Sequence, residues 1–406
     1  MARSTYAAVV LALSLAAVCS AVPAAVRPID ANSRLLKYGP ESQAWVSSEA
    51  LDFLRDTDID LSLPKAALRQ QYPVIAPVPD ALIDILGNHN SPRGPGFLDV
   101  TEIGDADGAR TAKENDVTIF AFPTPSKSKY PIADSLFSQI NANSLKSTVT
   151  TLSGYSTRYY RSSGARAPAT WIQSQFASAA GSANVKLIEN SFDQPNVIAT
   201  IPAKSGGSSE VVILGAHLDS INQRSTTSAA PGADDDASGI AILLQALQIL
   251  TAAGWKGSRP IEFHAYAGEE GGMLGSATVA SQYKKAGRAV RAMLNFDMVA
   301  YQPTSKPVVT VLTDTTADLA TFSRSLISAY IPEATLATNK CGYACSDHFS
   351  WYNQGYATIS IDESGPSDTY LNPNYHTAND TVDKLDFTKA SAFVKLAIAW
   401  ILELSE

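Results

Sequence analysis

Short apolar runs separated by helix-like stretches dominate the chain after residue 118. The run at 211–214 is continuously apolar, which is typical of a strand buried on both faces of a sheet. The stretch at 240–250 is apolar nearly all round and predicts a buried helix, and the amphipathic stretch at 387–404 predicts a closing helix. Strands that alternate with helices predict an α/β fold of three layers, αβα, around a mostly parallel, mixed central sheet. Further strands are predicted at 197–201, 261–266, 293–296, 308–312 and 357–361, and a helix around 171–176.

The first residues are typical of a targeting segment. Arg3 supplies a positive charge, residues 7–21 are almost wholly apolar or small, and Cys19 and Ala21 suit the small subsites of signal peptidase. We therefore expect residues 1–21 to be a cleaved signal peptide and the protein to be secreted and extracellular. An uncleaved anchor is the alternative. It is disfavoured because a spanning helix needs roughly 20 apolar residues, and no later stretch approaches that length either.

The composition changes again before the predicted sheet begins. Apolar helical patches occur up to about residue 88, and residues 88–116 are rich in Gly, Pro, Asn and Asp. We expect residues 22–117 to be a pro-segment that inhibits the following domain or helps it to fold, and residues 118–406 to be the functional domain. A small accessory domain that the mature protein retains is the alternative for 22–117.

Composition and cysteine content narrow the class of protein. The chain is 45% hydrophobic with a net charge of -8, which suits a globular protein and argues against nucleic acid as a partner. Removing the signal peptide removes Cys19 and leaves Cys341 and Cys345, for which an oxidising compartment predicts a disulfide. A metal-binding thiol pair is disfavoured, because no second pair exists to complete a four-thiolate zinc site.

Acidic and histidine side chains gather where the predicted strands end. In open α/β sheets the carboxyl ends of the strands are where ligands bind. Such a density of negative charge in a folded interior is costly unless a cation compensates it, and a mixture of histidine and carboxylate ligands favours zinc. Two histidines and three carboxylates are more ligands than one four-coordinate zinc ion can bind. Five ligands fit two zinc ions that share one carboxylate. The clusters are His217 with Asp219, Asp234-Asp235-Asp236, Glu269 with Glu270, Asp297, and Asn374-Tyr375-His376.

Each cluster alone has a plainer explanation. The aspartate triplet could cap the buried helix, the glutamate pair could be a solvated turn, and His217 could be a hydrogen-bonded core histidine. The metal hypothesis is favoured because all the clusters follow strands of one domain.

The ordered motifs resemble the M28-type co-catalytic zinc aminopeptidases, typified by the secreted leucine aminopeptidases of bacteria and fungi. The resemblance covers the chain from about residue 130 to its end. It implies a zinc-exopeptidase fold, two zinc ions per chain and removal of the N-terminal residue, preferably Leu-like and apolar, from peptides. The matching segments are 215–220, 231–239, 265–270, 295–298 and 341–348.

The resemblance also implies a role for each site residue. Glu269 would be the general base, Tyr343 would donate a hydrogen bond to the oxyanion, and Asp219 would orient the first ligand histidine. A cis peptide is expected at Asp235–Asp236. Met298 and Tyr375 would help to line an apolar pocket. The implied metal ligands are Asp235 as the bridge, His217 and Asp297 for one zinc, and Glu270 and His376 for the other.

Two other functions remain open at this point. A glutaminyl cyclase has the same fold with one zinc, and a non-catalytic binding ectodomain would keep the scaffold but usually lose ligands, of which all five are present here. A carboxypeptidase of this fold is disfavoured by the match around Cys341 and Cys345. We further expect a monomer that acts on peptide N-termini, contacts no membrane, and carries a glycosylation sequon at Asn379.

Overall fold

The computed structural model describes residues 32–39, 42–56, 63–87, 95–101 and 121–406. The predicted signal peptide at 1–21 and the predicted boundary between 117 and 118 lie outside these ranges. None of the helices in the described ranges combines the length and the hydropathy that crossing a bilayer requires.

The described part of residues 22–117, hereafter the leader, has a core of its own. Its elements are β1 (Arg34–Gly39), β2 (Ser42–Val46), α1 (Ser48–Asp56), α2 (Lys65–Gln71), α3 (Asp80–Gly87) and β3 (Leu98–Asp99). The strands pair antiparallel in the order β2-β1-β3. Leu36, Leu51, Leu68 and Leu82 are buried together between this sheet and the helices. The leader therefore folds as a small unit.

A second, eight-stranded sheet forms the centre of the following domain. Its strands are β4 (Val185–Ile188), β5 (Asn196–Ile201), β6 (Val211–His217), β7 (Ile261–Tyr266), β8 (Val290–Phe296), β9 (Val308–Leu312), β10 (Thr335–Asn339) and β11 (Thr358–Asp362). Their order is β10-β9-β11-β8-β6-β7-β5-β4. The pairs β6·β7, β6·β8, β8·β11 and β9·β10 are parallel, and the remaining three pairs are antiparallel. This confirms the predicted mixed, mostly parallel sheet.

Helices cover both faces of this sheet. They are α4 (Ala133–Phe137), α5 (Ala142–Ser153), α6 (Arg166–Ala180), α7 (Ala237–Ala252), α8 (Leu274–Lys285), α9 (Ala317–Tyr330), α10 (His348–Asn353) and α11 (Phe387–Leu404). Successive side chains of β6 point to opposite faces. Val212 and Leu214 join the cluster that contains α7 and α11, whereas Val211 and Ile213 pack with Val279 of α8. The fold therefore has the three predicted layers.

Helix α7 is apolar all round because it is enclosed by other elements. It packs against β6 and against α5, α6 and α11. Its start is fixed by Asp236, whose carboxylate accepts a hydrogen bond from the Gly239 N–H at 2.9 Å. Gln245, a buried polar residue of this helix, bonds both backbone groups of Asn141. The prediction of a buried helix at this position is confirmed.

The predicted elements match the observed ones best where the side chains are apolar. Strands β7 and β9 and helix α11 have the predicted bounds. Strand β10 escaped the sequence analysis because Thr335 and Leu336 are exposed and the strand lies at the edge of the sheet. Helices α8 and α9 and the leader strands were also missed.

Candidate metal centre

Three neighbouring parallel strands bring the predicted ligands to one edge of the sheet. Strand β6 ends at His217, and it lies between β7, which leads into Glu269 and Glu270, and β8, which leads into Asp297. Because β6 is parallel to both neighbours, all three carboxyl ends meet. The first three of these side chains are buried.

Asp235 lies between the two histidines. Its Oδ1 is 3.0 Å from Nε2 of His217, and its Oδ2 is 3.0 Å from Nε2 of His376. The peptide bond between Asp235 and Asp236 is cis, as expected. One carboxylate thus presents one oxygen to each histidine, which is the arrangement required of a ligand that bridges two metal ions.

Each histidine also faces a second carboxylate. Nε2 of His217 is 3.6 Å from Oδ1 of Asp297, and Nε2 of His376 is 3.0 Å from Oε2 of Glu270. The structure therefore gathers the five predicted ligands into two sets that share Asp235.

The surroundings of these groups shift their pKa values upward. Burial lowers the pKa of His217 and His376, but the surrounding carboxylates outweigh burial and raise both pKa values well above the ordinary value. Burial also raises the pKa of Glu270, to about 7, despite the nearby His376. Burial raises the pKa of Glu269 well above its ordinary value, and the charge of Glu270 adds to this. Protons therefore compete with any cation for this site.

The donor set fits a transition metal. Oε1 of Glu269 and Oε1 of Glu270 are buried without a hydrogen-bond partner, a costly state that a bound cation relieves. Donor atoms of His217, Asp235 and Glu270 lie within 4.8 Å of one another. Imidazole with carboxylate is a ligand combination that zinc accepts, whereas calcium and magnesium prefer oxygen alone.

Asp219 links the first histidine to the glutamate pair. Its Oδ1 is 3.5 Å from Nδ1 of His217. The same carboxylate accepts hydrogen bonds from the backbone N–H of Glu269 at 3.0 Å and of Glu270 at 3.2 Å. Asp219 is fully buried. These hydrogen bonds fix the loop that carries both glutamates, and the role of orienting His217 stays a prediction.

Asp380 holds the backbone of the aspartate triplet through hydrogen bonds. Its carboxylate accepts hydrogen bonds from the backbone N–H groups of Asp234 and Asp235, at 3.1 Å each. Burial, with the charges of Asp234 and Asp235, raises the pKa of Asp380 to about 8. Asp380 was not predicted from the sequence, where the surrounding segment stands out only as the sequon that begins at Asn379. Asn379 itself is exposed.

Gln223 contacts the second histidine. Its side-chain amide lies 2.6 Å from Nδ1 of His376, and its backbone N–H donates to the His376 carbonyl at 3.1 Å. The amide atom that faces the ring is the nitrogen, Nε2, so Gln223 fixes the orientation of His376 from its Nδ1 side. No motif in the sequence distinguishes this glutamine from others.

A fully buried arginine contacts the loops that carry two of the predicted ligands. Arg158 donates hydrogen bonds to backbone carbonyls of the two loops that carry His217 and Asp235, among them those of Leu218 at 2.9 Å and Gly232 at 2.8 Å. Burial lowers the pKa of this guanidinium, and the nearby carboxylates, Asp380 first, oppose that change. Arg158 therefore fastens the ligand loops together and offsets part of their charge. Sequence analysis missed it because an isolated arginine carries no motif.

Three further contacts of predicted residues involve the disulfide and two tyrosine rings. Cys341 and Cys345 form the predicted disulfide, so their sulfurs are not available as metal thiolates. The ring of Tyr343 packs against Phe349 at 5.4 Å, and that of Tyr375 against His376 at 4.6 Å.

Met298 and Asp297 line a cavity.

His264, to which the sequence assigned no ligand role, forms hydrogen bonds with Glu262 at 2.9 Å and with Tyr266 at 3.0 Å.

Replacing Arg158 is expected to destabilise the metal-free protein. Arg158→Met leaves several buried carbonyls without donors and removes the positive charge beneath the acidic loops, so the free energy of unfolding should fall by about 3–5 kcal/mol. Arg158→Lys should recover little, because one ammonium cannot serve carbonyls in several directions. Urea unfolding checks this, with Arg324→Met on the exposed side of α9 as control. Equal losses in the Arg158 and Arg324 variants would contradict the role.

Comparisons with known proteins agree with this geometry. A sequence profile of peptidase family M28 matches residues 196–401. The chain is 37% identical to the probable leucine aminopeptidase 1 of Trichophyton verrucosum over 332 residues. This match covers 77% of this chain and 86% of that protein. Leucine aminopeptidase 1 of Arthroderma gypseum is 33% identical over 414 residues, 97% of this chain and 98% of that protein.

A solved structure supports the same assignment. The crystal structure of the Legionella pneumophila LapA aminopeptidase matches with a TM-score of 0.68 at 26% identity, over 80% of this chain and 88% of that chain. The profile spans slightly more than half of the 406 residues, and the fungal relatives exceed 30% identity over most of the chain. The protein therefore belongs to peptidase family M28, as its motifs predicted.

Proposed function

We propose that the protein is a secreted aminopeptidase that uses two zinc ions to hydrolyse the first peptide bond of its substrates. Membership of the family and the named relatives support a zinc-dependent aminopeptidase. The observation that carries the two-ion centre is the Asp235 carboxylate, whose oxygens each lie 3.0 Å from a different histidine.

The chain's own residues supply the remaining chemistry. When bound, the zinc ions polarise the scissile carbonyl and acidify a water molecule. His217 and Asp297 would hold one ion, and Glu270 and His376 the other. Glu269 takes the proton of the attacking water and passes it to the leaving amine. Its position supports this role, because it is a buried carboxylate directly beside the predicted ligand Glu270.

Other residues position the substrate in this proposal. Tyr343 donates a hydrogen bond to the oxyanion as the carbonyl carbon becomes tetrahedral. The disulfide between Cys341 and Cys345 restrains the turn that carries it. Met298, Leu312 and Leu371 form apolar walls of the cavity beside Asp297, which supports the preference for Leu-like side chains.

The two rival functions are less well supported. A single-zinc glutaminyl cyclase would need one ligand set, whereas two complete sets converge here on Asp235. A non-catalytic ectodomain would not need Glu269, a buried carboxylate beside a metal ligand. Zinc counted per chain, together with release of free amino acids from a panel of aminoacyl amides with and without chelator, separates the three.

The leader packs against the loops of the centre. Leu35 and Leu98 are buried with Met273 and with both residues of the disulfide, Cys341 and Cys345. The Asp99 N–H donates to the carbonyl of Gly272, three residues after Glu269, at 3.2 Å. These contacts support the proposal that the leader inhibits the enzyme or assists its folding. Secretion, the monomeric state and glycosylation of Asn379 remain proposals from the sequence.

Removing the general base is expected to stop turnover without removing metal. Glu269→Ala should lower kcat by about a hundredfold to ten-thousandfold, the usual contribution of a positioned proton carrier, while zinc per chain is unchanged. Glu270→Ala, the matched variant, should lose bound zinc. Zinc analysis and leucyl amide hydrolysis are measured on both. Loss of zinc from the Glu269 variant would mean that base and ligand are wrongly assigned.

Zinc affinity is expected to rise with pH. The raised pKa values of His217 and His376 mean that both rings are protonated in the metal-free protein below those pKa values, and zinc must displace these protons. Each displaced proton should strengthen binding about tenfold per pH unit until the group is neutral. Titration with zinc against a competing chelator at about pH 6 and about pH 8 tests this. Equal affinity at both would contradict it.

Loosening the leader is expected to activate the unprocessed protein. Leu98→Asp places a charge in the apolar contact with the disulfide loop, so the unprocessed chain should hydrolyse leucyl amides faster per folded molecule. Gln70→Asp on the exposed side of α2 is the control. Unchanged activity in the Leu98 variant, with the leader still attached, would exclude inhibition by this contact.

A further inference from the structure

The first described residues after the leader are held against the central sheet. Arg291 of β8 donates a hydrogen bond from Nη2 to the carbonyl of Ala121 at 2.8 Å. The same guanidinium lies 4.9 Å from the centre of the Phe122 ring, which also packs against Phe322 of α9 with ring centres 5.6 Å apart. The peptide bond between Ala121 and Phe122 is therefore flanked on both sides by contacts with the rest of the fold.

A buried carboxylate fixes this part of the chain a second time. Glu403 of α11 is only 4% exposed. It accepts a hydrogen bond from the Ser126 N–H at 2.5 Å and another from the Tyr330 hydroxyl at 2.8 Å. Hydrogen bonds to a charged acceptor are stronger than those between neutral groups. Residues 121–126, hereafter the anchored segment, are thus attached to the fold at both ends.

The anchored segment lies far from the metal centre. Arg291 is the second residue of β8, and Asp297 follows the last residue of the same strand. Six residues of extended chain span about 20 Å. While Arg291 holds Ala121, this end of the chain cannot reach the metal centre of its own molecule. A peptidase that acts on it must therefore be another molecule.

The sequence of this region favours trimming before Ala121 and disfavours it afterwards. Residues 117–120 are Val-Thr-Ile-Phe, which are mostly apolar and suit the preference proposed above. Pro123 and Pro125 then follow in close succession. A proline nitrogen carries a ring carbon where other residues carry hydrogen, and the ring restricts the conformation of the residue before it. Because the ring crowds the leaving nitrogen, the bond before each proline is a poor substrate for the proposed reaction.

We propose that active molecules trim one another's N-termini and that the anchored segment ends this trimming at Ala121. Each step is the hydrolysis proposed above. Water gives its oxygen to the carbonyl carbon of the first residue and a proton to the leaving nitrogen, the bond between these two atoms breaks, and a free amino acid departs. The inference therefore rests on the proposed aminopeptidase function.

Two barriers stop the reaction in this proposal. Once Ala121 is the first residue, the next carbonyl to be attacked is its own, which Arg291 holds. This carbonyl reaches the zinc ions of another molecule only after it loses that hydrogen bond and the Phe122 ring leaves its contacts. Pro123 is the second barrier, because it makes the following bond a poor substrate even in an unattached chain.

A chain that is cut next to this region tests the end point. A recognition sequence for a specific endoprotease is inserted after position 116, and the folded full chain is cut so that Val117 becomes its first residue. The Glu269→Ala variant, which is expected to keep its zinc but not its activity, serves as the substrate. A trace of the cut wild-type chain serves as the enzyme. Intact-mass spectrometry should show the loss of four residues, ending at Ala121, at a rate proportional to the wild-type concentration.

Two variants of the substrate chain separate the two barriers. Phe122→Ala removes the ring contacts that hold Ala121 next to Arg291 and leaves the proline in place. Trimming should then take one more residue and end at position 122. Phe122→Ala combined with Pro123→Ala removes both barriers. Trimming of this chain should end at position 124, because Pro125 follows it.

Tyr356→Ala is the matched control. Tyr356 is also a half-buried aromatic residue with a cation nearby, since Nζ of Lys284 lies 5.8 Å from the centre of its ring. It precedes β11, which is parallel to β8, so it lies at the same edge of the sheet as Arg291. Losing this ring removes comparable packing and leaves the contacts of Ala121 intact. The end point should therefore stay at Ala121.

Hydrolysis of leucyl amide by the cut wild-type chain is measured beside each mass spectrum. An active enzyme that leaves Val117 in place, or that trims the unmodified segment to any end other than Ala121, would overturn the inference. An end point that Phe122→Ala does not move would overturn the role of the ring contacts. Absence of zinc-dependent leucyl amide hydrolysis would instead contradict the aminopeptidase function itself.

Discussion

The structure depends on the burial of negative charge at the carboxyl end of one sheet. Asp219, Asp235, Glu269 and Glu270 are all at least 95% buried, and carboxylates so close together repel one another strongly in a medium of low dielectric constant. Although burial lowers the pKa of His217, the surrounding carboxylates raise it above its ordinary value, and burial raises the pKa of Glu269. Divalent cations balance this negative charge in the proposed enzyme.

The surrounding polypeptide is built to hold these carboxylates in place. Asp219 and Asp380 accept hydrogen bonds from backbone N–H groups and so fix the ligand loops. Arg158 binds the backbone carbonyls of the same loops from within the core. Loops are ordinarily the most mobile part of a domain, and here buried charges anchor them on both sides.

The leader and a cavity lie beside the loops of this centre. The leader covers the disulfide loop and contacts the loop that follows Glu269, so the same surfaces serve the proposed inhibition and the proposed catalysis. The cavity is lined by Asp297, which follows β8, and by Ser360 and Asp362 of the neighbouring strand β11.

The sequence by itself determined the fold class and the main strands, because these depend on local patterns such as apolar runs. It also predicted that acidic and histidine side chains converge at the strand ends, whereas the choice of five ligands among them came from the resemblance of the motifs to a known family. Strand β10 and the leader strands escaped it, since their burial patterns are weak or mixed. Only the tertiary structure identified Arg158, Gln223 and Asp380 as contacts of the loops that carry the predicted ligands. Their partners lie far along the chain, so their roles depend on loop packing and sheet register, which no local pattern encodes.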